Sequence, residues 1–361
     1  MKVIHTEWSN GWGGQEIRIL QEMLAVRERG IEVFLACRED SQIALKAHES
    51  GIKVFSLPFK GNLDFYTLFR LMIIIRKYKI QILNSHSGKD TWVGGLAAKF
   101  SRIKFIRTRH LSNPIKTSRS NFINELADFI FTTGESVRDD MIKNNRISSD
   151  RIKSIPTGID LKIFDPKRYD QKAIRNNLKI GSKTIVIGIV AVLRRFKRHD
   201  RFFKMAEFIV KNSKLKIKFL VVGDGPLRNK FHALVVSKKL EDFFIFTGHV
   251  DNVAEILSLF DIFLLTSDSG EGVPQSLMQA LAMNKAVIST NAGSIKDLYH
   301  QENFILVDNY SQSKLNNHVL NLLSDKKLRE NFAKNSGSFV RENFSLEKMT
   351  NDIIQVYKRL L

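Results

Sequence analysis

Short apolar runs alternate along the chain with longer stretches whose apolar residues recur at helical spacing. Strand-like runs separated by amphipathic helices are typical of a parallel sheet covered by helices. In the first half, helices are predicted over residues 15–29 and 67–78. The strands predicted there are residues 3–5, 32–36, 53–57, 81–85, 104–108 and 129–133.

The same alternation begins again after IPTGIDLKIFDPKRYD, a loop-like stretch that contains Pro156, Gly158 and Pro166. The sequence therefore predicts two consecutive βα domains with a boundary near residue 165. Strands are predicted in the second half over residues 184–190, 217–222, 244–247, 262–265, 286–289 and 304–307.

Length and composition agree with two domains. The chain has 361 residues, of which 43% are hydrophobic, enough to supply two cores. Its one cysteine, Cys37, excludes an intramolecular disulfide and is consistent with a reducing, cytoplasmic compartment. The first apolar run is too short for a signal peptide, and the stretch FYTLFRLMIIIRKYKIQIL contains four cations, so it predicts a surface segment and not a membrane span.

A formal net charge of +20 favours an anionic partner, such as nucleic acid, an acidic lipid surface or a phosphorylated substrate. The basic residues are spread over the whole length, however, so solvated surface charge explains the excess equally well. Charge alone therefore leaves the partner open.

In open α/β sheets, ligands bind outside the carboxyl ends of the strands. Two junctions in the first half fit that position. WSNGWGGQEIRIL places Gly13 and Gly14 before a predicted helix, where an anion can approach the backbone, although a plain tight turn is an alternative. His86 follows the strand 81–85, and His110 occupies a similar, weaker position after the next strand; a structural histidine is the alternative for both.

Two junctions in the second half carry charge. VAVLRRFKRHD places Arg194 and Lys197 directly after a strand, where a guanidinium fork and an ammonium group can hold a diphosphate, the alternative being a solvated basic turn. SGEGVPQSLMQALAM places Glu271 before a helix predicted to begin at Pro274. The backbone N–H groups of Gln275, Ser276 and Leu277 then form an anion site, and Glu271 either accepts hydrogen bonds from sugar hydroxyls or is an exposed loop acid.

These motifs, in this order, resemble the retaining nucleotide-sugar glycosyltransferases of family 4. The resemblance covers nearly the whole chain and implies the GT-B fold: an α/β protein of two Rossmann-like βα domains that face each other across a cleft. The domains would be residues 1–165 on the acceptor side and 166–340 for the nucleotide-sugar. A helix within 341–361 would cross back to the first domain.

The resemblance also assigns roles residue by residue. Gly13 and Gly14 match the family's glycine pair, and His86 matches the histidine near the donor sugar. Arg194 and Lys197 match the residues that meet the diphosphate, although Arg198 stands where glycine is common. FTGHVDNVAEILSLFDIFLLTS resembles the segment around the nucleobase, with the backbone of Val250 and Asp251 near the ring.

EGVPQSLMQ resembles the family's pair of acids separated by seven residues. Glu271 is the first, which implies contact with the sugar hydroxyls, and the second position, which implies contact with the ribose, holds Gln279. Ribose recognition needs hydrogen bonds and no proton transfer, so an amide can retain that role with weaker charge assistance.

The implied function is retaining transfer of a sugar from a nucleoside-diphosphate sugar to a glycan or lipid-linked glycan, in bacterial lipopolysaccharide or capsule synthesis. No cofactor and no metal are expected, because there is no Asp-x-Asp and no close His or Cys cluster after a strand. The alternatives are a nucleotide-sugar epimerase of the same architecture and a non-catalytic basic binding protein; no nucleic-acid motif is present.

A lipid-linked acceptor would suit the basic first domain. We expect a cytoplasmic protein that contacts the anionic inner face of the membrane peripherally. The cations assigned to that contact are Arg70, Arg76, Lys77, Arg107, Arg109, Lys116 and Arg119.

Overall fold

The computed structural model describes residues 1–110, 115, 119–268, 271–300, 303–307 and 311–361, without the side chains of 119–121. Lys116 lies outside the described residues. The chain divides into two compact units. The N-terminal unit is Met1–Gly158 with Leu346–Leu361, and the C-terminal unit is Ile159–Ser345. These boundaries lie a few residues from positions 165 and 341 of the sequence interpretation.

The N-terminal unit contains a seven-stranded parallel sheet with the order β3-β2-β1-β4-β5-β6-β7. Helices pack on both faces, which is why the strands are apolar on both sides. The strands are β1 (Lys2–Glu7), β2 (Glu32–Cys37), β3 (Lys53–Ser56), β4 (Ile82–Ser85), β5 (Lys104–Arg109), β6 (Phe129–Thr132) and β7 (Ile152–Ser154). The helices are α1 (Gly14–Glu28), α2 (Gln42–Glu49), α3 (Phe65–Tyr78), α4 (Gly88–Phe100) and α5 (Glu135–Asn145).

The C-terminal unit contains a six-stranded parallel sheet with the order β10-β9-β8-β11-β12-β13. Its strands are β8 (Ile185–Val190), β9 (Ile217–Val222), β10 (Phe244–Gly248), β11 (Ile262–Leu265), β12 (Ala286–Thr290) and β13 (Ile305–Val307). Its helices are α6 (Gln171–Asn177), α7 (His199–Asn212), α8 (Arg228–Ser237), α9 (Val253–Ser258), α10 (Gln275–Ala282), α11 (Gln312–Ser324) and α12 (Lys326–Asn343).

The last helix, α13 (Leu346–Leu360), belongs to the N-terminal unit. Met349, Ile353, Val356 and Tyr357 bury its apolar face in the same core as residues of α1 and β2. Its polar residues point outward, which is the stripe expected of a helix packed on one side.

The two Rossmann-like sheets match the predicted α/β class, and they contain one strand that the sequence interpretation missed. Strand β7 has only three residues, Ile-Lys-Ser, too few to show a period. Both sheets reverse their strand order once, between β1 and β4 and between β8 and β11. Ligands of open α/β sheets bind outside the strand ends at such reversals, so these two places locate the candidate sites.

Candidate active site

In the N-terminal unit, the end of β1 carries a buried carboxylate. Glu7 has no exposed surface. Its Oε1 accepts hydrogen bonds from the backbone N–H groups of Trp8 and Ser9 at 2.9 and 2.8 Å and from the Ser87 hydroxyl at 2.6 Å. Gln15 of α1 donates to Oε2 at 2.5 Å. Burial raises the pKa of Glu7, and these donors act against the rise.

A second buried carboxylate, Asp90, organises the start of α4. It accepts hydrogen bonds from the Thr6 hydroxyl at 2.8 Å and from the backbone N–H groups of His86 and Ser87, both at 2.9 Å. Burial raises its pKa well above the ordinary value, and the charge of Glu7 adds to the rise. The sequence interpretation missed both acids. An acidic residue at the carboxyl end of β1, where ligands of α/β sheets bind, was the signal for Glu7.

Three histidines form a row across adjacent strands. His5 lies in β1, His86 follows β4 and His110 follows β5. The Nδ1 of His5 is 2.9 Å from Nε2 of His86, and Nδ1 of His86 is 2.9 Å from Nε2 of His110. Burial lowers the pKa of His5 to about 3 and the pKa values of His86 and His110 well below 6.5. All three rings are therefore neutral at pH 7, with one N–H each.

The unpaired end of the row decides its tautomers. Nε2 of His5 is buried without a hydrogen-bond partner among the described residues. A buried N–H without an acceptor is rarer in proteins than an acceptor without a donor. We therefore assign the proton of His5 to Nδ1, so each ring donates from Nδ1 to the next and the N–H of His110 lies on its own Nδ1.

This order of donors changes the expected role of His86. Both of its ring nitrogens are engaged by other histidines, and only 3% of its surface is exposed. His110 is half-buried, and no described residue is a partner of its Nδ1. The ring nitrogen available to a ligand thus belongs to His110, the histidine ranked second from the sequence.

The glycine pair lies where α1 begins. Gly13 precedes the first helical residue, Gly14, and its backbone N–H donates to the Glu16 carboxylate at 2.9 Å. The φ of Gly13 is −151°, extended backbone that any residue adopts. A Cβ there would meet no atom closer than 3.5 Å. Neither the backbone conformation nor the local packing therefore requires glycine at position 13. Its effect is to leave the space beside the helix start open.

In the C-terminal unit, an ion pair joins two of the predicted residues across the reversal between β8 and β11. Lys197 Nζ is 2.6 Å from Glu271 Oε1, and the side chains are 13% and 6% exposed. The Ser267 hydroxyl donates to the same carboxylate oxygen. Glu271 is therefore a buried, paired acid and not an exposed loop acid.

The turn after Lys197 explains why glycine would suit the next position. Arg198 has φ +49°, in the left-handed region where a side chain costs about 1 kcal/mol. Its guanidinium binds Asp200 through two hydrogen bonds of 2.8 and 2.9 Å and Asp268 through one of 2.9 Å. These ion pairs offset the unfavourable backbone and connect the turn to the loop after β11.

The backbone around Glu271 is also closely packed. Gly293 has φ +55°, and a Cβ there would lie 2.0 Å from the carbonyl oxygen of Glu271. That oxygen accepts a hydrogen bond from the backbone N–H of Ser294 at 3.2 Å. The loop after β12 therefore holds the backbone of Glu271 in position.

The remaining donor-site candidates lie around this ion pair or at the edge of the sheet. Helix α10 begins at Gln275, one residue later than predicted, so Pro274 is its N-cap and not its first residue. Gln279 is half-buried on the same helix. Arg194 is exposed, and no described residue pairs with it. Val250 and Asp251 follow the edge strand β10, where Val250 is half-buried and Asp251 is exposed.

Two cations assigned to a membrane surface are placed differently by the structure. Arg107 is only 6% exposed, and burial lowers its pKa to about 10. A buried guanidinium that interacts with the charge of Asp90 does not reach a lipid surface, so its assignment to a lipid contact was wrong. Arg109 is half-buried. Within the described ranges, no group of three His, Cys, Asp or Glu is arranged to hold a metal ion, and no helix is long and apolar enough to cross a bilayer.

Comparison with known families agrees with this arrangement. Residues 12–163 match the profile of Glycosyltransferase Family 4, and residues 170–338 match that of Glycosyl transferases group 1. The chain belongs to the family 4 glycosyltransferases. It is therefore a transferase, and its two sheets are the two Rossmann-like units of the GT-B fold.

Among its relatives, the N,N′-diacetylbacillosaminyl-diphospho-undecaprenol α-1,3-N-acetylgalactosaminyltransferase of Campylobacter jejuni is 26% identical over 93% of this chain and 92% of its own length. The UDP-Gal:α-D-GlcNAc-diphosphoundecaprenol α-1,3-galactosyltransferase of Escherichia coli is 22% identical over 99% and 96%. The structure of Anabaena HepE in complex with UDP matches with a TM-score of 0.86 at 17% identity, covering 100% of both chains.

Proposed function

We propose that this glycosyltransferase moves a sugar, with retention of configuration, from a UDP-sugar to a lipid-diphosphate-linked glycan of bacterial cell-surface polysaccharide synthesis, such as lipopolysaccharide or capsule. The observation that carries the proposal is the pairing of Lys197 with Glu271 at the β8/β11 reversal, with the exposed Arg194 in the same loop. A cation for a diphosphate and a carboxylate for sugar hydroxyls then lie side by side.

The donor would bind in the C-terminal unit. Arg194 and Lys197 hold the diphosphate, and the start of α10 at Gln275 and Ser276 adds backbone donors. Glu271 accepts hydrogen bonds from the sugar, Gln279 contacts the ribose, and the backbone of Val250 and Asp251 borders the base. UDP as the nucleotide is supported by the UDP complex of the Anabaena structure and by the donor of the Escherichia coli relative.

The reaction would need no metal and no cofactor. The bond between the sugar C1 and the diphosphate oxygen breaks while the acceptor oxygen bonds to C1 on the same face. The departing phosphate takes the proton of the acceptor hydroxyl. Negative charge grows on the diphosphate, and fixed cations there lower the barrier because they stabilise that charge without reorganisation.

In the N-terminal unit we propose that His110 meets the substrate and that His86 acts through it. Nδ1–H of His110 is the donor at the open end of the row, and His86 fixes its ring orientation. Gly13 and Gly14 would leave room for a phosphate near the start of α1. His110→Ala should then lower kcat more than His86→Gln, which retains a polar partner for His110; equal or reversed losses would return the substrate contact to His86.

The acceptor class is supported by the relatives. The Campylobacter jejuni and Escherichia coli enzymes act, by name, on sugars linked to undecaprenol through a diphosphate. A transferase of the same family that covers nearly their whole length would take a related acceptor. The specific sugar and linkage are to be found by acceptor screening.

The first experiment is a thermal-shift panel of UDP, GDP, ADP, TDP and CMP without metal. Stabilisation by UDP alone identifies the donor class, because a ligand that binds only the folded state raises the melting temperature. Arg194→Ala should remove the shift without changing the melting temperature of the free protein. Stabilisation by none of the five nucleotides would contradict the proposal.

A second assay separates transfer from epimerisation. The UDP-sugar is incubated with and without an undecaprenyl-diphosphate-linked acceptor, and UDP release and sugar identity are followed. Transfer requires the acceptor and releases UDP. Conversion of the donor sugar without acceptor would identify an epimerase of the same architecture.

A further inference from the structure

Helix α3 of the N-terminal unit has an apolar stripe on its solvent side. Leu68, Leu71, Ile74 and Ile75 face the core and are buried. On the opposite side, five large apolar side chains are between 56% and 76% exposed: Leu63 just before the helix, and Phe65, Tyr66, Phe69 and Ile73 within it. A helix packed on one side normally exposes polar residues on the other, whereas this second stripe is apolar and has no partner among the described residues.

The exposed stripe is concentrated in one place. At 3.6 residues per turn, Phe65, Tyr66, Phe69 and Ile73 lie within an arc of roughly 100°. The other large apolar side chains that are exposed in the described part of the chain lie singly on separate segments, as Leu45, Leu215 and Val236 do. Single exposed apolar residues are ordinary, whereas a contiguous patch marks a contact surface.

Three cations border the stripe. Arg70, Arg76 and Lys77 are exposed on the same side of α3, and Lys60 precedes the helix. Among the described residues, none of the three helical cations has a carboxylate within salt-bridge distance. The stripe itself contains no acid, and the nearby Asp64 is engaged as the N-cap, accepting hydrogen bonds from the backbone N–H groups of Thr67 and Lys60.

We propose that this face of α3, from Leu63 to Lys77, lies on an anionic lipid bilayer. Aromatic and aliphatic side chains enter the boundary between headgroups and acyl chains, and the cations beside them meet lipid phosphates. Tyr66 suits that boundary because its ring is apolar and its hydroxyl remains in water. The buried centres of protein interfaces are, in contrast, depleted of charged residues, so unpaired cations beside the stripe favour a lipid surface over a protein partner.

This inference rests on the proposed function in one respect: a lipid-linked acceptor is confined to the membrane and gives the enzyme a reason to bind there. The sequence interpretation distributed the contact over Arg70, Arg76, Lys77, Arg107, Arg109, Lys116 and Arg119, and the structure buries Arg107 of these. The proposed contact is confined to α3 and the residues just before it. It also includes apolar side chains, which the prediction from cations alone did not contain.

The test is co-sedimentation of the full chain with vesicles of phosphatidylcholine, alone or mixed with phosphatidylglycerol. We expect binding to the mixed vesicles only. Phe65→Ser/Phe69→Ser/Ile73→Ser should weaken binding at least tenfold, since each change removes apolar area from the contact. Arg70→Gln/Arg76→Gln/Lys77→Gln should weaken it about a hundredfold, at roughly fivefold per cation. Val236→Ser, at an equally exposed apolar residue of the C-terminal unit, is the matched control and should bind as the wild type.

Insertion is tested separately from attraction by charge. The fluorescence of Phe69→Trp should be quenched by brominated acyl chains in mixed vesicles, whereas that of Val236→Trp should not. Equal vesicle binding by the wild type and the triple serine variant would overturn the proposal. A concentration-dependent dimer that the serine changes abolish, without vesicle binding by the wild type, would instead identify a protein interface.

Thermal stabilisation by UDP keeps the two proposals apart. The serine variant should retain its UDP shift and its melting temperature because the changed residues are exposed and belong to the other unit than the proposed donor loop. Vesicle binding without any nucleotide shift would contradict the proposed function and leave the docking face supported. A nucleotide shift without vesicle binding would support the proposed function and contradict the docking face.

Discussion

The ion pair between Lys197 and Glu271 gives a prediction in which stability and nucleotide binding can be separated. Both side chains are nearly buried, and the Ser267 hydroxyl also donates a hydrogen bond to the Glu271 carboxylate. Lys197→Met removes the cation and leaves the carboxylate buried. Removing one partner of a buried pair costs about 3–5 kcal/mol, and the partial exposure of Lys197 favours the lower end, about 3 kcal/mol.

In a unit of this size, about 3 kcal/mol corresponds to a decrease of roughly 6–12 °C in melting temperature. Lys197→Met/Glu271→Gln removes both charges at similar volume. The double variant should therefore melt several degrees higher than Lys197→Met alone, because no buried carboxylate is left without its lysine. Differential scanning calorimetry without nucleotide measures both variants.

Arg194→Ala is the matched control. Arg194 is exposed, so its loss should change stability by less than about 0.5 kcal/mol. It should still weaken UDP binding roughly 10- to 100-fold, because hydrogen bonds to charged groups contribute about 1.5–3 kcal/mol. Titration calorimetry with UDP should thus show a loss for both single variants, of which only Lys197→Met melts lower.

Two results would refute the reasoning. If Lys197→Met melts with the wild type, the ion pair does not stabilise the unit. If the double variant melts as low as the single variant, the loss comes from the packing of the Lys197 stem and not from a Glu271 carboxylate that has lost its lysine. The ammonium group of that stem lies 5.2 Å from the centre of the Phe196 ring.

Three further predictions concern single residues. Burial, with a smaller contribution from Lys197, lowers the pKa of His199 to about 4, so the unfolded chain takes up a proton between pH 6.5 and 4 that the folded chain does not. The stability of the wild type should fall through that range by up to about 3 kcal/mol more than that of His199→Phe, as urea unfolding at pH 7 and 4.5 would show; parallel decreases would exclude His199 as the cause. Arg198→Gly should be about 1 kcal/mol more stable than Arg198→Ala, since both lose the same ion pairs and only glycine accepts φ +49° freely; equal unfolding midpoints would argue against that backbone strain. Burial raises the pKa of the Cys37 thiol to about 12, so iodoacetamide at pH 8 should alkylate it only in urea, and rapid labelling of the folded chain, followed by mass spectrometry, would contradict the burial.

Periodicity predicted the fold class, because buried parallel strands and amphipathic helices each require a characteristic spacing of apolar residues along the sequence. The short strand β7 was missed because three residues show no period. Motif order predicted that Arg194, Lys197 and Glu271 belong to one site, and the structure does bring Lys197 and Glu271 to 2.6 Å. Their separation of 74 positions in sequence says nothing about distance, which the β8/β11 pairing decides.

Tertiary structure alone decided which polar groups are free. The sequence contains His5, His86 and His110 as three separate residues, and only the adjacency of β1, β4 and β5 makes them a hydrogen-bonded row that occupies both nitrogens of His86. Likewise, Arg107 is buried and Arg70 is exposed, although both are cations in a basic domain. A sequence fixes the type and order of side chains, whereas burial and pairing depend on residues distant along the chain, which only the packed sheet and helices bring together.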